Sequence, residues 1–353
     1  MITTRALNRA TLHRQLLLDR ADLPVTDAVE HLVGMQAQEP MAPYYGLWSR
    51  LRDFHPHHLA ELLTTRQVVR APLHRVTIHL VTAADHGRVE PALRPLVRRR
   101  FASSPFRSAL DGLDPVRFGE QVAALVAEGP LTRRELGDAL APHWPGTIPQ
   151  ALGQAATYLV PVVQVPPRGV WGSSGQARWT TASHWLGESG EHADPAGLVR
   201  RYLAAFGPAT VGDVRAWSGL SGLRPVIEAM ELRVLRDEHG RELLDLPEAE
   251  LPDPDTPAPV RFLPEFDNLL LGHDDRTRVI SEEDYRRGIV VGGKPTVLVD
   301  GFVHGTWRLT PDGLRVELFR PLTRDQRQDL LDEGADLLAV TGVGGEVRIG
   351  LPR

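Results

Sequence analysis

The sequence of 353 residues contains no cysteine. This absence excludes disulfide bonds, cysteine-based zinc sites, iron–sulfur clusters and thiol nucleophiles, and it is compatible with a reducing compartment. The chain also lacks an apolar run of about 18 residues, the length that a membrane-spanning helix requires. It lacks a basic leader followed by a short apolar stretch as well. We therefore expect a cytoplasmic protein that makes no contact with membranes.

Lysine is almost absent too. Of the 40 basic residues only Lys294 is a lysine, and the rest are arginines. A formal net charge of −5 argues against indiscriminate binding to nucleic acid. It does not exclude a local basic surface, because the field near a phosphate depends on the charges closest to it. Residues 88–107 hold six arginines and one glutamate, whereas residues 237–255 are rich in aspartate and glutamate.

The clearest local pattern is found at residues 122–140, VAALVAEGPLTRRELGDAL. Apolar residues recur at helical spacing and the segment EGPLT interrupts them. Thr132 then caps a new helix, with Glu135 at the capping-box position. Residues 164–181 follow and are typical of a long β-hairpin with a Gly/Ser tip. Helix, turn, helix and hairpin in this order predict a winged-helix domain.

The same plan recurs at residues 197–220, where Thr210 is the helix cap, with a ribbon at 232–247. A fainter copy opens the chain, and three copies of one module predict a tandem array. Residues 247–259 contain five prolines and no periodicity, which indicates a linker. Short strand-like segments and a final helix follow, as in a small β-barrel or half-barrel.

We therefore predict an α+β fold in which three tandem winged-helix domains precede a small C-terminal β-barrel. The pattern places the winged-helix domains at residues 1–115, 116–190 and 191–247. Residues 248–353 then form the linker and the barrel. The first of these domains contains an unusual pair of polar residues.

Two glutamines, Gln36 and Gln38, stand where the apolar pattern of the second predicted helix stops. That helix has the sequence TDAVEHLVGM, residues 26–35, and Asp27 is its predicted cap. Residues two apart point in nearly opposite directions on a helix but in the same direction in an extended chain. If the two glutamines act together, they must lie in extended chain just beyond the helix end, with Ala37 turned inward.

A carboxamide offers two donors and one acceptor oxygen with two lone pairs. Two carboxamides on one edge can hold a water molecule in a fixed direction, but neither can deprotonate it. Such a site suits a reaction whose leaving group is already activated, so that positioning supplies most of the acceleration. The alternative is that both glutamines only satisfy backbone groups at a helix end, and spacing alone favours this alternative.

Seven segments that span nearly the whole chain in order resemble the AlkZ/YcaQ family of bacterial DNA glycosylases. They are LNRATLHRQLLLDR, AVEHLVGMQAQEPMAPYYGLWSRL, RVTIHLVTAADH, VPPRGVWGSSGQARW, VRRYLAAFGPATVGDVRAWSGL, LPEFDNLLLGHDDR and VLVDGFVHGTWRL. The resemblance implies three tandem winged-helix domains and a C-terminal β-barrel, arranged as a C-shaped clamp on duplex DNA. It also implies hydrolysis of the N-glycosidic bond of alkylated purines, with neither a metal ion nor a cofactor.

The family divides by its catalytic motif, which is Gln-x-Asp in YcaQ-like members and Gln-x-Gln in AlkZ-like members. This chain has Gln36-Ala37-Gln38 and so resembles the AlkZ-like branch. Several members of that branch protect producers of DNA-alkylating natural products. The resemblance makes Gln36 and Gln38 catalytic. The chemistry agrees, because alkylation at N7 of guanine or N3 of adenine puts a positive charge on the base, which then leaves with little protonation.

The predicted strand at residues 75–81, RVTIHLV, places Arg75, Thr77 and His79 on one face. From there they can approach the two glutamines. His79 is therefore a candidate catalytic residue, and Arg75 and Thr77 are candidate DNA contacts. The alternative for His79 is a strand histidine that is only hydrogen-bonded.

DNA contact is expected from arginines and from the hairpin tip. The candidates are Arg98, Arg99, Arg100, Arg168, Trp171, Arg178, Asn268, Arg276 and Lys294. For the arginine run the alternative is a solvated helix face. The aromatic ring of Trp171 can act as a wedge in a DNA groove or can pack under its own hairpin. Glycosylases that also cut the strand use an amine to form a Schiff base, and with one lysine in the chain we expect a monofunctional enzyme.

The expected partner is double-stranded DNA that contains alkylated purines, bound by a monomer. The alternative is a winged-helix DNA-binding protein without catalysis, such as a transcriptional regulator. A regulator usually presents a dimerisation helix and a basic recognition helix. Neither RRELGDAL (133–140) nor VGDVRAWS (211–218) is strongly basic, which favours the enzyme.

Overall fold

The computed structural model describes residues 1–107, 112–187 and 193–351. The helices of the first half are α1 (Thr4–Arg14), α2 (Val25–His31), α3 (Ala42–Trp48), α4 (Pro56–Thr64), α5 (Ala83–Ala102), α6 (Pro115–Ala127), α7 (Arg133–Leu140) and α8 (Pro149–Leu159). Those that follow are α9 (Ala182–Leu186), α10 (Pro195–Phe206), α11 (Val211–Ser218), α12 (Arg224–Glu228), α13 (Asn268–Leu271), α14 (Glu282–Tyr285) and α15 (Arg324–Thr341). Within the described ranges, no helix is both long and apolar enough to cross a membrane.

The strands form three sheets. Their bounds are β1 (Met35–Gln36), β2 (Val68–Pro72), β3 (Ile78–Thr82), β4 (Leu131–Thr132), β5 (Val162–Val165), β6 (Arg178–Thr181), β7 (Arg233–Arg236), β8 (Glu242–Asp245), β9 (Arg261–Leu263), β10 (Thr296–Val299), β11 (Phe302–Thr310), β12 (Gly313–Leu318) and β13 (Glu346–Gly350). The chain therefore mixes helices with strands throughout, as the α+β prediction requires.

The first sheet has six strands in the order β1-β3-β2-β5-β6-β4. Its centre is the pairing of β2 with β5, where Arg70 lies opposite Gln164. Both strands are almost entirely buried, so the core of the first predicted domain continues into that of the second. The domain boundary predicted between residues 115 and 116 stays a prediction. The helices before it and the helices after it pack on the same six-stranded sheet.

Two helix starts that the sequence predicts are confirmed. Thr132 and Glu135 form a reciprocal capping box, with hydrogen bonds of 3.2 and 2.7 Å, and Thr210 and Asp213 form the same box on α11. The antiparallel ribbons β5–β6 and β7–β8 follow these helices. The predicted cap at Asp27 is wrong, because α2 begins two residues earlier and Asp27 lies in its first turn. The number of winged-helix domains stays a prediction.

The C-terminal strands form a five-stranded sheet in the order β13-β12-β11-β10-β9. Neighbours are antiparallel except β13, which pairs parallel to β12 and has no counterpart in the predicted strands. The sheet is open in the part of the chain that the structure describes, because β9 and β13 at its two edges do not pair with each other. The β-barrel or half-barrel that the sequence predicts is therefore not confirmed as a closed barrel. The predicted final helix is present as α15, which packs on β12, β13 and β9.

The predicted linker contains neither a helix nor a strand over residues 246–260. It is nevertheless held in place by arginines of α1. Arg5 Nε donates to the carbonyl oxygen of Pro254 at 3.0 Å, and Arg9 Nε donates to that of Thr256 at 2.7 Å. These contacts fix the linker against the start of the chain.

The largest hydrophobic cluster joins the N-terminal helices, the helices α6–α8 and the C-terminal sheet. It contains Trp48, Trp179 and Trp307, which are all buried. Met35 and Ala37, the residues on either side of Gln36, belong to the same cluster. Burial of these two apolar side chains anchors the short strand β1 in the core.

Candidate active site

A tight reversal connects α2 to β1. Val33 and Gly34 both adopt positive φ, 55° and 87°. A Cβ on Gly34 would lie 2.7 Å from Cγ1 of Val81 in β3, so this close approach requires glycine. The helix α2 ends at His31, four residues before the predicted end at Met35. The reversal then leads into the short strand β1.

The strand β1 aligns the two glutamines with β3. Gln36 lies opposite His79, and the N–H of Ala37 donates to the carbonyl oxygen of Ile78 at 2.8 Å. Ala37 is fully buried, Gln36 is 7% exposed and Gln38 is exposed. The inward Ala37 is therefore confirmed, whereas the strand ends at Gln36 and Gln38 lies in the bend that follows. One glutamine is at the base of the site and the other is at its rim.

Both side-chain carbonyl oxygens accept a backbone N–H. Oε1 of Gln36 accepts from Gln38 N–H at 3.2 Å, and Oε1 of Gln38 accepts from Ile78 N–H at 3.4 Å. Each oxygen keeps one lone pair. Among the described residues, neither amide NH₂ group donates a hydrogen bond. The glutamines thus satisfy backbone groups, as the alternative interpretation required, and still retain the groups that a bound water or nucleotide would use.

His79 is a neutral imidazole in the folded protein. Burial, together with the charge of Arg75, lowers its pKa to about 3. Its Nδ1 lies 2.9 Å from the carbonyl oxygen of Thr77. Because a carbonyl oxygen only accepts, Nδ1 carries the proton and Nε2 is the unprotonated nitrogen. A base with so low a pKa takes a proton from water poorly, so His79 can orient a group but is a weak proton acceptor.

The strand predicted over residues 75–81 begins later, at Ile78. Arg75 and Val76 adopt positive φ, 54° and 63°, in the turn between β2 and β3. Arg75 therefore does not share a strand face with His79, which corrects that prediction. Instead, Nη1 of Arg75 donates to the carbonyl oxygen of Trp217 at 2.6 Å. Positive φ is uncommon for a β-branched residue such as Val76 and is strained.

A residue far away in the sequence holds β1 in position. Oδ1 of Asn268 accepts the N–H of Gln36 at 3.3 Å, and its Nδ2 donates to the carbonyl oxygen of Gly34 at 2.7 Å. Asn268 is buried and 232 residues distant from Gln36. The sequence placed it among DNA contacts, and the structure places it beneath the site, where we assign it a positioning role.

The residue before Asn268 is fixed by a buried ion pair. Asp267 accepts from Nη2 and Nη1 of Arg50 at 2.7 and 2.9 Å. The remaining donors of Arg50 reach the carbonyl oxygen of Gly46 and both oxygens of Gln15. All five guanidinium hydrogens thus have acceptors, which is the condition for keeping such a pair inside a protein.

Arg70 is a further residue beneath the site, and no feature of the sequence VVRAP marked it. Its Nη2 donates to the carbonyl oxygen of Ala37 at 2.7 Å. Burial lowers the pKa of Arg70 to about 10. Its side chain also lies against Gly169, where an added Cβ would be 2.8 Å from Arg70 Cδ. The wing between β5 and β6 is thereby tied to the strand that carries the glutamines.

The predicted DNA contacts occupy different environments. Arg98, Arg99 and Arg100 are exposed near the end of α5, and Lys294 is exposed in the loop before β10. Among the described residues these four side chains make no ion pair. They are therefore available for contact with phosphates, although three consecutive helical residues cannot all face one way.

The wing residues make contacts within the protein. The ring of Trp171 packs against those of Tyr44 and Tyr45 in α3, with centroids 5.0 and 6.1 Å apart. It does not pack under its own hairpin. Arg168 donates to the carbonyl oxygen of Gly175 at 3.1 Å. The wing tip is thus supported by α3.

Three other predicted contacts also have partners inside the chain. Arg178 pairs with Glu135 at 3.1 Å. Arg276 donates to the carbonyl oxygen of Leu270 at 2.8 Å, and Thr77 donates to that of His74 at 3.2 Å. These contacts leave part of each side chain accessible.

Comparison with known proteins gives a consistent result. A profile of the family described as DNA glycosylase AlkZ-like matches residues 29–340. The interstrand DNA cross-link repair glycosylase of Streptomyces sahachiroi is 24% identical over 379 residues, which cover 94% of this chain and 95% of that protein. The solved structure of Streptomyces sahachiroi DNA glycosylase AlkZ has a TM-score of 0.81, 22% sequence identity and coverage of 100% of both chains.

The similarity to the solved structure establishes the fold, and the match to the family profile establishes the family. The matched range includes Gln36 of β1, Gln38 two residues later, the strand β3 and the segment that carries Asn268. The resemblance inferred from the sequence is therefore confirmed over most of its length. The chain belongs to the AlkZ-like family of DNA glycosylases.

Proposed function

We propose that this DNA glycosylase hydrolyses the N-glycosidic bond of alkylated purines, N7-alkylguanine above all, and that Gln36 and Gln38 hold the attacking water. The observation that carries the proposal is the geometry of β1. The two amides lie on either side of the buried Ala37 where β1 ends, and each has an NH₂ group and an oxygen lone pair available.

The chemistry requires little more than positioning. A cationic N7-alkylguanine leaves as a neutral base, so the enzyme need not protonate it. The sugar then carries positive charge, and a water molecule must meet its anomeric carbon from a fixed direction. Hydrogen bonds from Gln36 and Gln38 can supply that direction, because a rigid strand removes the need to orient the water in each turnover.

The substrate range is inferred from a relative. The Streptomyces sahachiroi protein is named as a repair glycosylase for interstrand DNA cross-links, so we propose bulky natural-product adducts and cross-links as further substrates. Self-resistance to a DNA-alkylating antibiotic is the biological role that fits them. We expect a monomer in the cytoplasm that binds duplex DNA through three winged-helix domains and uses no metal.

The test is base release by variants of the glutamines. Gln36→Ala, Gln38→Ala and the double variant are compared on duplex DNA that contains N7-methylguanine. Gln150→Ala, an exposed glutamine on α8, is the matched control. We expect each site variant to lose about 10²-fold or more in single-turnover rate, in line with the loss of one positioned group. Full activity in the double variant would refute the catalytic role.

A non-catalytic winged-helix regulator is the second hypothesis, and the family assignment weighs against it. The two differ in what they prefer on DNA. A regulator discriminates between sequences, whereas a repair enzyme discriminates between damaged and undamaged duplex. Titration of both duplexes at several salt concentrations separates these outcomes.

A further inference from the structure

Ala37, the residue between the two glutamines, has both of its backbone polar groups bonded. Its N–H donates to the carbonyl oxygen of Ile78 at 2.8 Å, and its carbonyl oxygen accepts from Nη2 of Arg70 at 2.7 Å. The first bond belongs to the sheet, whereas the second comes from a side chain of β2. The carbonyl oxygen of Ala37 lies in the peptide plane that leads into Gln38, so the direction of Gln38 depends on Arg70.

Arg70 is buried, with 2% of its surface exposed. In the part of the chain that the structure describes, its guanidinium forms no ion pair, and its Nε donates to no acceptor. Arg50, which is also buried beneath the site, has a carboxylate partner in Asp267 and acceptors for all its donors. A buried cation without a carboxylate costs free energy, so a contribution to the stability of the fold does not by itself account for Arg70.

The wing, residues 166–177 between β5 and β6, lies directly on this arginine. A Cβ added to Gly169 would be 2.8 Å from Cδ of Arg70, 3.2 Å from its Nη1 and 3.3 Å from its Nε. Gly169 has a φ of 92°, so the position requires glycine both for its backbone conformation and for lack of space. Nη1 of Arg70 also lies 3.5 Å from the carbonyl oxygen of Arg168. The guanidinium therefore takes its position from the base of the wing.

Tyr44 of α3 holds the same part of the wing. Its hydroxyl donates to the carbonyl oxygen of Gly169 at 2.7 Å and accepts the N–H of Trp171 at 3.0 Å. Residues 172–176, at the tip of the wing, are exposed. The wing thus has an exposed tip and a base that contacts both Tyr44 and Arg70.

We infer that Arg70 is a positioning residue for the two glutamines, and that it makes the rate of base release depend on how the wing is seated. This inference rests on the proposed function. Because Arg70 is buried, it acts through the carbonyl oxygen of Ala37 and not on DNA. If the base of the wing shifts, the guanidinium moves with it and the peptide before Gln38 turns. A displacement of about 1 Å in a positioned group can cost about 10²-fold in rate.

The experiment measures single-turnover release of N7-methylguanine from duplex DNA at a series of enzyme concentrations. The series separates the rate of the saturated complex from the enzyme concentration that gives half of that rate. The variants are Arg70→Met, Arg70→Lys, Gly169→Ala and the double variant Arg70→Met/Gly169→Ala. Hydrogen exchange of the amides of residues 35–38 and thermal unfolding are measured on the same proteins.

Two variants serve as matched controls. Gly146→Ala makes the same change at a φ of 94°, where an added Cβ meets no atom of the described chain within 4 Å. It reproduces the backbone strain of Gly169→Ala without contact to Arg70. Arg20→Met removes an arginine that also donates to a backbone carbonyl oxygen, that of Trp48, at 3.0 Å. Both controls should keep the rate of the unmodified protein.

We expect Arg70→Met to lose about 10²-fold in the rate of the saturated complex. Its half-saturating concentration should change little, because phosphate contacts dominate DNA binding. Arg70→Lys keeps one donor for Ala37, so its rate should be intermediate. Gly169→Ala should be slower than Gly146→Ala, and the double variant should lose no more than Arg70→Met alone, since both changes break the same contact. Hydrogen exchange should accelerate at residues 35–38 and not in the C-terminal sheet.

Three results would overturn the inference. They are a saturated rate in Arg70→Met near that of the unmodified protein, equal rates in Gly169→Ala and Gly146→Ala, and single-variant losses that multiply in the double variant. The second result remains decisive if Arg70→Met fails to fold. If the unmodified protein releases no alkylpurine, the proposed function itself is refuted, and the exchange rates still show whether Arg70 and the wing hold Ala37.

Discussion

The side-chain oxygen of Gln36 accepts a hydrogen bond from the backbone N–H of Gln38, 3.2 Å away. The two glutamines are therefore mechanically linked as well as adjacent. Gln36 supplies an amide to the site and also fixes the backbone from which Gln38 extends. The side chain of Gln38 makes no corresponding hydrogen bond to Gln36, because its oxygen accepts the backbone N–H of Ile78 instead.

This asymmetry predicts non-additive variants. Gln36→Ala removes one amide and releases the other, so its excision rate should approach that of the double variant. Gln38→Ala should lose less. A double-mutant cycle of single-turnover rates measures the coupling, which should exceed about 0.5 kcal/mol for residues in direct contact. If the rate losses of the two single variants multiply to give the loss of the double variant, the coupling between Gln36 and Gln38 is contradicted.

Replacing Asn268 should loosen β1, the strand that carries Gln36. Asn268→Ala leaves the N–H of Gln36 and the carbonyl oxygen of Gly34 without partners in a buried place. We expect the free energy of unfolding to fall by about 1–3 kcal/mol and excision to slow as well. Urea unfolding and base release measure the two effects. Asn268→Asp is the matched control, because it keeps the acceptor for Gln36 and loses the donor to Gly34, so its excision rate should lie between those of the unmodified protein and Asn268→Ala.

The arginine run on α5 should contribute to DNA affinity without affecting chemistry. Replacing Arg98, Arg99 and Arg100 with glutamine should weaken binding and reduce the slope of log Kd against log salt by about 0.9 for each phosphate that an arginine no longer neutralises. The rate of the bound complex should not change. Arg224→Gln removes an exposed arginine that pairs with Glu228 and is the control. An unchanged salt slope would place the run on a solvated face.

The scarcity of amines predicts a monofunctional enzyme. Lys294 is the one lysine, and a held water is the proposed nucleophile. We expect borohydride to trap no covalent complex with DNA, and Lys294→Gln to keep the full rate of base release. A trapped adduct that disappears in Lys294→Gln would show a Schiff base at this residue.

The buried histidines predict instability in acid. Burial lowers the pKa of both His74 and His79, the latter to about 3. In the unfolded chain these histidines have a pKa of about 6.5 and bind protons below that pH, whereas in the folded protein they stay neutral. The free energy of unfolding is therefore largest above about pH 6.5, and it decreases as the pH falls from there towards the pKa values of the folded state. Urea unfolding at several pH values should show this loss. His79→Gln should reduce its slope by up to about 1.4 kcal/mol per pH unit, and an unchanged slope would contradict the assignment.

Local features of the site could be predicted from the sequence. A helix that stops before Gln36 and an apolar Ala37 between two polar residues are enough to predict an extended edge. The capping boxes at Thr132 and Thr210 are equally local, since each depends on residues three positions apart. Such patterns can be predicted because the interactions that produce them join residues within one turn of the chain.

The parts that could not be predicted depend on distant contacts. Asn268 reaches Gln36 across 232 positions, and Arg70 supports Ala37 through a fold that no spacing reveals. Arg75 and Val76 were predicted in a strand because β-branched and alternating residues favour one. The left-handed turn that they adopt has no glycine or asparagine to mark it. Whether the C-terminal sheet closes into a barrel likewise depends on which strands pair at its edges, and the sequences of the strands do not reveal this pairing.

The tie between Asn268 and β1 has a consequence for protein synthesis. A ribosome that has released the first third of the chain has made both glutamines and Arg70, but not Asn268, which holds Gln36 and Gly34 from below. The strand that carries Gln36 is held from below only once the segment around Asp267 and Asn268 has been translated and has packed against it. A fragment that ends before residue 268 should therefore be a poor repair enzyme even if its helices form, and dividing this protein into a catalytic piece and a separate DNA clamp should fail.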